Sequence, residues 1–293
     1  MSSAHVLNDQ DFPTGRDSPA ARPTLVALPA ERSAMIDAHL RAVDALLVRT
    51  VSELTGVWAE LVDDGAPDIL QDFDLPQVIG QSINGGKRFR AVMSYLGWLA
   101  SGGAARNRGR RDVVRVGAAL EMLQLFVLVH DDVMDESASR RGRPTVHVRA
   151  TGLHTASNAM GSAQRFGESI AVLVGDLAHA EAGNLVAALP PAMRRIWRVL
   201  VAELVAGQRR DLVGSATGRR DLDFARSVAR SKSGRYTVQR PLNSAPRQPE
   251  RTLPPPPAWT PTVGPSARRS RCATTCWGSG ATRRSPGNPL VTT

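Results

Sequence analysis

The stretch that decides the fold is residues 113–145, which read VVRVGAALEMLQLFVLVHDDVMDESASRRGRPT. From residue 113 to residue 129, apolar side chains fall on every side of a helix with 3.6 residues per turn, so the pattern predicts a helix that is buried all round. The apolar run ends in three aspartates, and a pair of arginines follows. Carboxylates at the end of a buried helix are costly unless a cation meets them, so we expect a charged site there.

The three aspartates are Asp131, Asp132 and Asp135. On a helix, Asp131 and Asp135 are i, i+4 neighbours and Asp132 and Asp135 are i, i+3 neighbours, so all three lie on nearly one face. Like charges at that spacing repel one another unless a cation joins them. Hard oxygen ligands suit magnesium, which completes its shell with water and substrate phosphate. The pattern predicts a magnesium site; the simpler alternative is a solvated acidic helix end.

A second charged motif lies earlier in the chain, where residues 81–91 read QSINGGKRFRA. Gly85 and Gly86 allow the backbone to approach a ligand closely. Lys87 and Arg90 are i, i+3, so we expect them to point the same way once a helix resumes. A lysine beside a forked guanidinium suits a diphosphate. The alternative is a basic helix start after a glycine turn.

The net charge of +10 on 293 residues would normally favour nucleic acid or an anionic membrane as partner. Its distribution weakens that argument, because seven arginines against one glutamate lie in residues 243–293. The same segment holds ten of the 20 prolines and both cysteines, Cys272 and Cys276. The chain shows no leader-like apolar N-terminus and no uninterrupted apolar run of membrane-spanning length. We therefore expect a cytoplasmic protein with no transmembrane segment and no nucleic-acid partner.

The chain divides into three parts by composition and periodicity. Residues 1–32 are polar, contain several prolines and lack a period, so they are expected to form a disordered N-terminal arm. Helical periodicity begins at Ser33, whereas residues 151–166 resemble a loop. Strand-like alternation never persists, so we predict an all-α domain over residues 33–242 and a disordered tail over residues 243–293.

Six motifs in this order resemble those of the trans-type isoprenyl diphosphate synthases, or polyprenyl synthetases. The motifs are GGKRFR at 85–90, HDDVMD at 130–135, RRGRPT at 140–145, VGD at 174–176, GQRRDL at 207–212 and KSGRYT at 232–237. The resemblance implies an all-α, isoprenoid synthase-type helical bundle around a deep apolar cavity, usually in a homodimer. It also implies a magnesium-dependent enzyme, with manganese as an alternative ion, that joins isopentenyl diphosphate head-to-tail onto an allylic diphosphate.

Carried over position by position, the resemblance implies two groups of site residues. Those expected around magnesium and the allylic diphosphate, and therefore catalytic or substrate-binding, are Asp131, Asp132, Asp135, Arg140, Gln208 and Lys232. Those expected to bind isopentenyl diphosphate are Lys87, Arg90, Gln124 and Arg141. This chemistry needs no protein nucleophile, because metal ions and fixed cationic side chains stabilise the departing diphosphate as its charge develops.

The resemblance also suggests a product length. In this family the chain grows beside the central helix, and bulky groups before the aspartate motif act as a floor. The fifth and fourth positions upstream of Asp131 are Phe126 and Val127, and Phe126 lies roughly 7.5 Å before Asp131 along the axis. An aromatic residue at the fifth position alone resembles the archaeal geranylgeranyl type. We expect a C20 product, with C15 as the alternative.

The tail departs from the family pattern. The family carries a second aspartate-rich motif after the KSG segment, but no aspartate follows Asp223 in this chain. If the tail is back-translated with GC-rich codons and read two bases forward from Asn243, it yields FPLRDDLLGVWGD, which resembles that motif. Thr274 and Thr275 would then encode its two adjacent aspartates. We hypothesise a frameshift just after Leu242, which leaves a truncated domain that lacks its C-terminal helices.

Two other interpretations stay open. A terpene cyclase shares the aspartate motif and ionises the same substrate, although residues 85–90 argue against it because a cyclase binds no isopentenyl diphosphate. A truncated, inactive subunit that pairs with a full-length synthase is the non-enzymatic alternative.

Overall fold

The computed structural model describes residues 30–62, 73–84, 86–103, 109–219, 221–229 and 236–243. These residues form α-helices and one short hairpin, which confirms the all-α prediction. In chain order the elements are α1 (Ala30–Val62), α2 (Leu75–Ile83), α3 (Phe89–Ala100), α4 (Gly109–Met134), β1 (Ser139–Arg140), β2 (Arg143–Pro144), α5 (Val146–Ala156), α6 (Ala163–Ala187), α7 (Pro191–Ala216), α8 (Leu222–Ala229) and α9 (Arg240–Asn243). Lys232, almost all of the predicted N-terminal arm and almost all of the predicted tail lie outside the described residues.

Helix α4 is the centre of the fold and packs against α1, α2, α3, α5 and α6. No residue between 112 and 133 is exposed, so the prediction of a helix buried all round is confirmed. Leu120, Met122 and Leu123 are completely inaccessible to solvent. The most extensive contact of α4 is with α6.

Local signals in the sequence explain where α2 and α6 begin. The Asp74 carboxylate accepts a hydrogen bond from the Gln77 amide at 3.3 Å, and a proline occupies the first turn of α2. The Ser162 hydroxyl accepts from the Arg165 amide at 3.3 Å at the start of α6. Each side chain satisfies one of the amides that a helix leaves unpaired at its N-terminus.

The loop predicted over residues 151–166 is wrong for most of its length. Helix α5 continues to Ala156 and α6 begins at Ala163. The buried side of α5 consists of Val146, Ala150 and His154, which are spaced four residues apart. A stripe this narrow, with a small residue and a histidine in it, lacks the apolar period that reveals a helix in a sequence.

A tight hairpin follows α4 almost immediately. Strands β1 and β2 pair antiparallel, with Ser139 opposite Pro144 and Arg140 opposite Arg143. The two turn residues, Arg141 and Gly142, have φ of 54° and 75°. Positive φ at both central positions is typical of a two-residue hairpin turn. The hairpin returns the arginine pair towards the acidic end of α4.

The last described segment packs against α3. Residues 236–239 form a π-helical turn that runs into α9. A Cβ atom on Gly97 of α3 would collide with the carbonyl oxygen of Leu242, so the glycine is needed for this close approach.

By length and mean hydropathy, α4 and α6 are each apolar enough to cross a membrane. In their most apolar 18-residue windows, 61% and 44% of the residues are buried inside the protein. Core helices of soluble proteins pass the same test, which makes it weak evidence for a membrane span. The expectation from the sequence rested on uninterrupted apolar runs, and the absence of a transmembrane segment stays a prediction.

Candidate active site

The acidic end of α4 contains a buried ion pair. Asp132 is 5% exposed, and Arg140 from β1 donates to it from Nε at 2.8 and 3.0 Å and from Nη2 at 2.6 Å. Burial raises the pKa of the Asp132 carboxyl, and the hydrogen bonds and charge of Arg140 oppose that rise. The bidentate geometry fixes both side chains. The expectation that a cation meets these carboxylates is confirmed.

Helix α7 reaches the same place through Gln208. Its Nε2 donates to Asp131 Oδ1 at 2.9 Å and lies 3.4 Å from the sulfur of Met134. Gln208 and Asp131 are 77 residues apart in sequence, so the contact brings together two motifs that the sequence analysis assigned to one site. Gln208 and Arg140 thus hold two of the three aspartates from different sides.

The three aspartates do not by themselves form a complete metal site. Within the described residues, no group of three or more histidine, cysteine, aspartate or glutamate side chains is arranged to hold a metal ion. Asp132 pairs with Arg140, and the charge of Arg140 also acts on Asp131 and Asp135. Magnesium usually takes one or two carboxylates and keeps water and phosphate as its other ligands. The residues therefore fit an ion that is bound together with a diphosphate.

The basic motif before α3 is organised around Arg88, which the sequence analysis did not single out. Arg88 has φ of 47° and is 9% exposed. It donates to Asp44 Oδ1 at 2.8 Å and to the Ile83 carbonyl at 2.7 Å, and its Nη1 lies 3.5 Å from Glu121 Oε2. Glu121 was the available signal, because a glutamate inside an otherwise apolar helix requires a buried cation.

The anchoring of Arg88 corrects the expected arrangement of Lys87 and Arg90. Helix α3 begins at Phe89, so Lys87 precedes the helix and the i, i+3 relation does not apply to the pair. Lys87 is exposed to solvent, whereas Arg90 is half-buried. A ligand shared by the two cations would therefore meet Lys87 from the loop before α3 and Arg90 from the helix itself.

Arg90 lies in a buried polar cluster with the segment after KSG. Its guanidinium lies 4.6 Å from the centroid of the Tyr236 ring, and its Nη2 donates to Thr237 Oγ1 at 3.2 Å. Burial raises the pKa of the Glu121 carboxyl, while the charges of Arg90 and Arg88 oppose that rise.

Three atoms of this cluster are buried without a hydrogen-bond partner among the described residues: Arg90 Nε, Glu121 Oε1 and Tyr236 Oη. Gln124 Oε1, three residues after Glu121 on α4, is also buried without one. Buried polar atoms are normally paired, so this cluster has unused capacity for a polar ligand or water. Arg90 and Gln124 are among the residues expected to bind isopentenyl diphosphate.

The predicted product floor faces α6. The Phe126 ring packs against His130 at 4.6 Å and against His179 at 4.9 Å between centroids. Val127 is partly buried against the main core. A Cβ atom on Gly175 would collide with the His130 imidazole, so the glycine of the VGD motif provides room for this ring cluster. His179 is the contact that the sequence analysis did not assign to the floor.

The fold and these contacts define an all-α protein with a charged site at the end of its central helix. Residues 74–245 match the family model for polyprenyl synthetase. The chain therefore belongs to the polyprenyl synthetase family.

Curated relatives agree with this assignment. The chain is 33% identical over 150 residues to nonaprenyl diphosphate synthase of Mycobacterium tuberculosis, covering 51% of this chain and 39% of that protein. It is 37% identical over 164 residues to a probable farnesyl diphosphate synthase of Bradyrhizobium diazoefficiens, covering 52% of this chain and 42% of that protein. The matches thus span well under half the length of these relatives.

A solved structure shows the same fold. It is geranylgeranyl pyrophosphate synthase from Corynebacterium glutamicum, complexed with isoprenyl diphosphate and magnesium. The TM-score is 0.56 at 30% identity, covering 75% of this chain and 59% of that chain. The isoprenoid synthase-type bundle expected from the sequence is therefore confirmed for the described helices.

Proposed function

We propose that the chain is, by descent, a magnesium-dependent prenyltransferase that condenses isopentenyl diphosphate with an allylic diphosphate. The observation that carries the proposal is the acidic end of α4. There Arg140 pairs with Asp132 and Gln208 donates to Asp131. We propose that Asp131, Asp132 and Asp135 hold magnesium on the allylic diphosphate. The proposed products are C15 to C20 prenyl diphosphates, with geranylgeranyl diphosphate first.

The reaction requires the carbon–oxygen bond of the allylic diphosphate to ionise, which leaves an allylic cation and a highly charged anion. Magnesium, or manganese in its place, would neutralise charge on that leaving group when it is held by Asp131, Asp132 and Asp135. Arg140 supplies a fixed positive charge beside it, and the proposal assigns the same role to Lys232. Fixed charges that need no reorganisation stabilise the developing anion more effectively than water does.

The second substrate is proposed to bind at the basic motif. Lys87 and Arg90 would meet the diphosphate of isopentenyl diphosphate, together with Gln124 and Arg141. Support comes from the buried polar cluster around Arg90, whose unpaired atoms suit a polar ligand. Arg141 is exposed in the hairpin turn next to Arg140. The proposal assigns the two arginines to different diphosphates.

Product length is proposed to depend on Phe126 and Val127. The Phe126 ring on α4 contacts His130 on the same helix and His179 on α6. A rigid aromatic floor close to the aspartates favours a short or medium product. A deep apolar cavity above that floor, a homodimer and a cytoplasmic location belong to the same proposal.

The frameshift after Leu242 is also proposed. The match to the family ends at residue 245, three residues past that position. The second set of carboxylates is missing from the chain after Asp223. We therefore expect the chain as written to be poorly active or unstable, because half of its carboxylates and its last helices are replaced by an unrelated sequence.

The test is a product assay with labelled isopentenyl diphosphate, magnesium and dimethylallyl, geranyl or farnesyl diphosphate. It is run on the chain as written and on a version with one base restored after the codon for Leu242. Products that form only when isopentenyl diphosphate is present support the proposal. In the restored protein, Asp135→Asn should lower the rate by about 100-fold or more, whereas Asp223→Asn, an exposed carboxylate on α8, should not.

Two outcomes would favour the alternatives. Hydrocarbon products that form without isopentenyl diphosphate would identify a terpene cyclase. Activity that appears only when an intact synthase is co-purified would identify a non-catalytic subunit.

A further inference from the structure

A second ion pair connects α7 to the last described segment. Arg240 donates to Glu203 from Nε at 2.8 Å and from Nη2 at 2.5 Å. Their side chains are 26% and 24% exposed, so water screens the pair only in part. Paired parallel hydrogen bonds between a guanidinium and a carboxylate fix orientation as well as distance.

The Arg240–Glu203 pair gives α7 a contact with a defined direction, which its apolar contacts do not provide. The helix buries Leu200 and Leu204, which flank Glu203. Apolar burial is non-directional, so these leucines alone leave α7 able to slide or rotate. Gln208 is five residues beyond Glu203, or about 7.5 Å along the axis, and must arrive at Asp131 within hydrogen-bonding distance.

The other partner of the pair is itself fixed. Arg240 belongs to the segment whose Thr237 accepts a hydrogen bond from Arg90 and whose Tyr236 lies beneath the same guanidinium. Its Leu242 backbone lies directly against Gly97. Arg240 therefore offers α7 an anchor that is held on α3.

We propose that Arg240 and Glu203 are a positioning pair that sets α7 so that Gln208 reaches Asp131 and the allylic diphosphate. This inference rests on the proposed function, because it takes Asp131 to face that substrate. Neither Arg240 nor Glu203 was assigned a role by the family resemblance. The pair acts through Gln208 and does not itself touch the substrate.

The test measures binding, so it does not depend on turnover. The chain is titrated with farnesyl S-thiolodiphosphate, an analogue that ionises very poorly, in the presence of magnesium, and Kd is measured by calorimetry. Glu203→Gln and Gln208→Ala should each weaken binding by about tenfold. Because Glu203 acts through Gln208, the double variant should bind no more weakly than Gln208→Ala alone. The exchanged pair, Glu203→Arg with Arg240→Glu, should restore Kd to within about threefold of wild type.

The control is the exposed pair Arg219–Asp221, just beyond the end of α7, where Arg219→Gln should leave Kd unchanged. Additive losses in the Glu203→Gln, Gln208→Ala double variant would overturn the inference, as would an unchanged Kd in Glu203→Gln. No binding by the wild-type chain would overturn the proposed allylic site and the inference with it. Wild-type binding that is insensitive to Glu203→Gln would overturn the inference alone.

Discussion

Helices α4 and α7 have the same length, 26 residues, but they are integrated into the protein in different ways. Helix α4 buries 12 of its residues, whereas α7 buries five. One large apolar side chain of α4, Met134, is exposed. Four on α7 are at least 40% exposed: Val199, Val205, Leu212 and Val213.

The difference suggests that α4 mainly stabilises the fold, whereas α7 mainly positions side chains at the site. The core around α4 is closed, and its buried charges are held by defined ion pairs. Helix α7 is held by a narrow apolar stripe and by polar contacts that include those of Glu203 and Gln208. We therefore expect substitutions around α4 to change the free energy of unfolding, and substitutions on the polar side of α7 to change ligand binding.

The largest effect is expected from Arg88→Ala. Removing this guanidinium leaves Glu121 buried without its Arg88 partner and frees the Ile83 carbonyl. Breaking a buried ion pair by removing one partner costs about 3–5 kcal/mol of unfolding free energy. Urea denaturation measures the change. The exposed pair Arg49–Glu53 is the control, where Arg49→Ala should cost less than about 1 kcal/mol.

The same substitution in the two helices tests the comparison most simply. Leu120 on α4 is 0% exposed and Leu212 on α7 is 40% exposed. Leu120→Ala should cost about 2–5 kcal/mol, because it leaves a cavity in a packed core. Leu212→Ala should cost less than about 1 kcal/mol, because most surface substitutions change little. Equal losses in urea denaturation would show that α7 is as well packed as α4.

Gly97→Ala should loosen the segment that carries Arg240. The new methyl group collides with the Leu242 backbone, and such overpacking costs about 1–3 kcal/mol. Hydrogen exchange over residues 236–243 should therefore accelerate. Gly183→Ala on α6 is the matched control, because its Cβ would meet nothing within 4 Å. Alanine is the better helix former, so that variant should be neutral or up to about 1 kcal/mol more stable.

The smallest effect concerns pH. His39 on α1 is buried and stacks on Tyr95 of α3 at 4.3 Å, and burial lowers its pKa from 6.5 to about 4. In the unfolded chain His39 binds a proton as the pH falls below 6.5, whereas in the folded chain it does so only near pH 4. Stability from this group is therefore complete above pH 6.5 and is lost as pH falls. Between pH 7 and 5.5 the loss should be about 1 kcal/mol.

His39→Phe keeps a ring on Tyr95 but cannot bind a proton. Urea midpoints at the two pH values should therefore change less in this variant than in the wild type. An identical pH dependence in both proteins would show that other groups control stability in this range.

The sequence predicted α4 and its charged end because both rest on local rules. An apolar run without a polar face predicts a buried helix, and aspartates at its end require a cation. Arg140, the arginine that pairs with Asp132, lies only eight residues away, at the start of the next motif. The partner of Glu121 was harder to find, because Arg88 is 33 residues away and is held by a left-handed backbone that no pattern reveals.

Contacts between distant segments were the least predictable part of the site. The resemblance placed Gln208 near the allylic diphosphate, but only the packing of α7 shows that it holds Asp131. Arg240 and Glu203 belong to no recognisable motif. They meet because the segment that contains Arg240 packs against α3 and reaches α7, which contains Glu203. Residues 151–166 were misassigned because a stripe of small and polar residues gives no apolar period.

We propose that this chain descends from a working prenyltransferase and is interrupted after Leu242. The most direct test compares initial rates for the chain as written and for the protein with one base restored after that codon, using labelled isopentenyl diphosphate, farnesyl diphosphate and magnesium. We predict that the restored protein makes C20 diphosphate at least about 100-fold faster, because it regains carboxylates that hold metal ions on the leaving group. Equal rates for the two proteins would contradict the account.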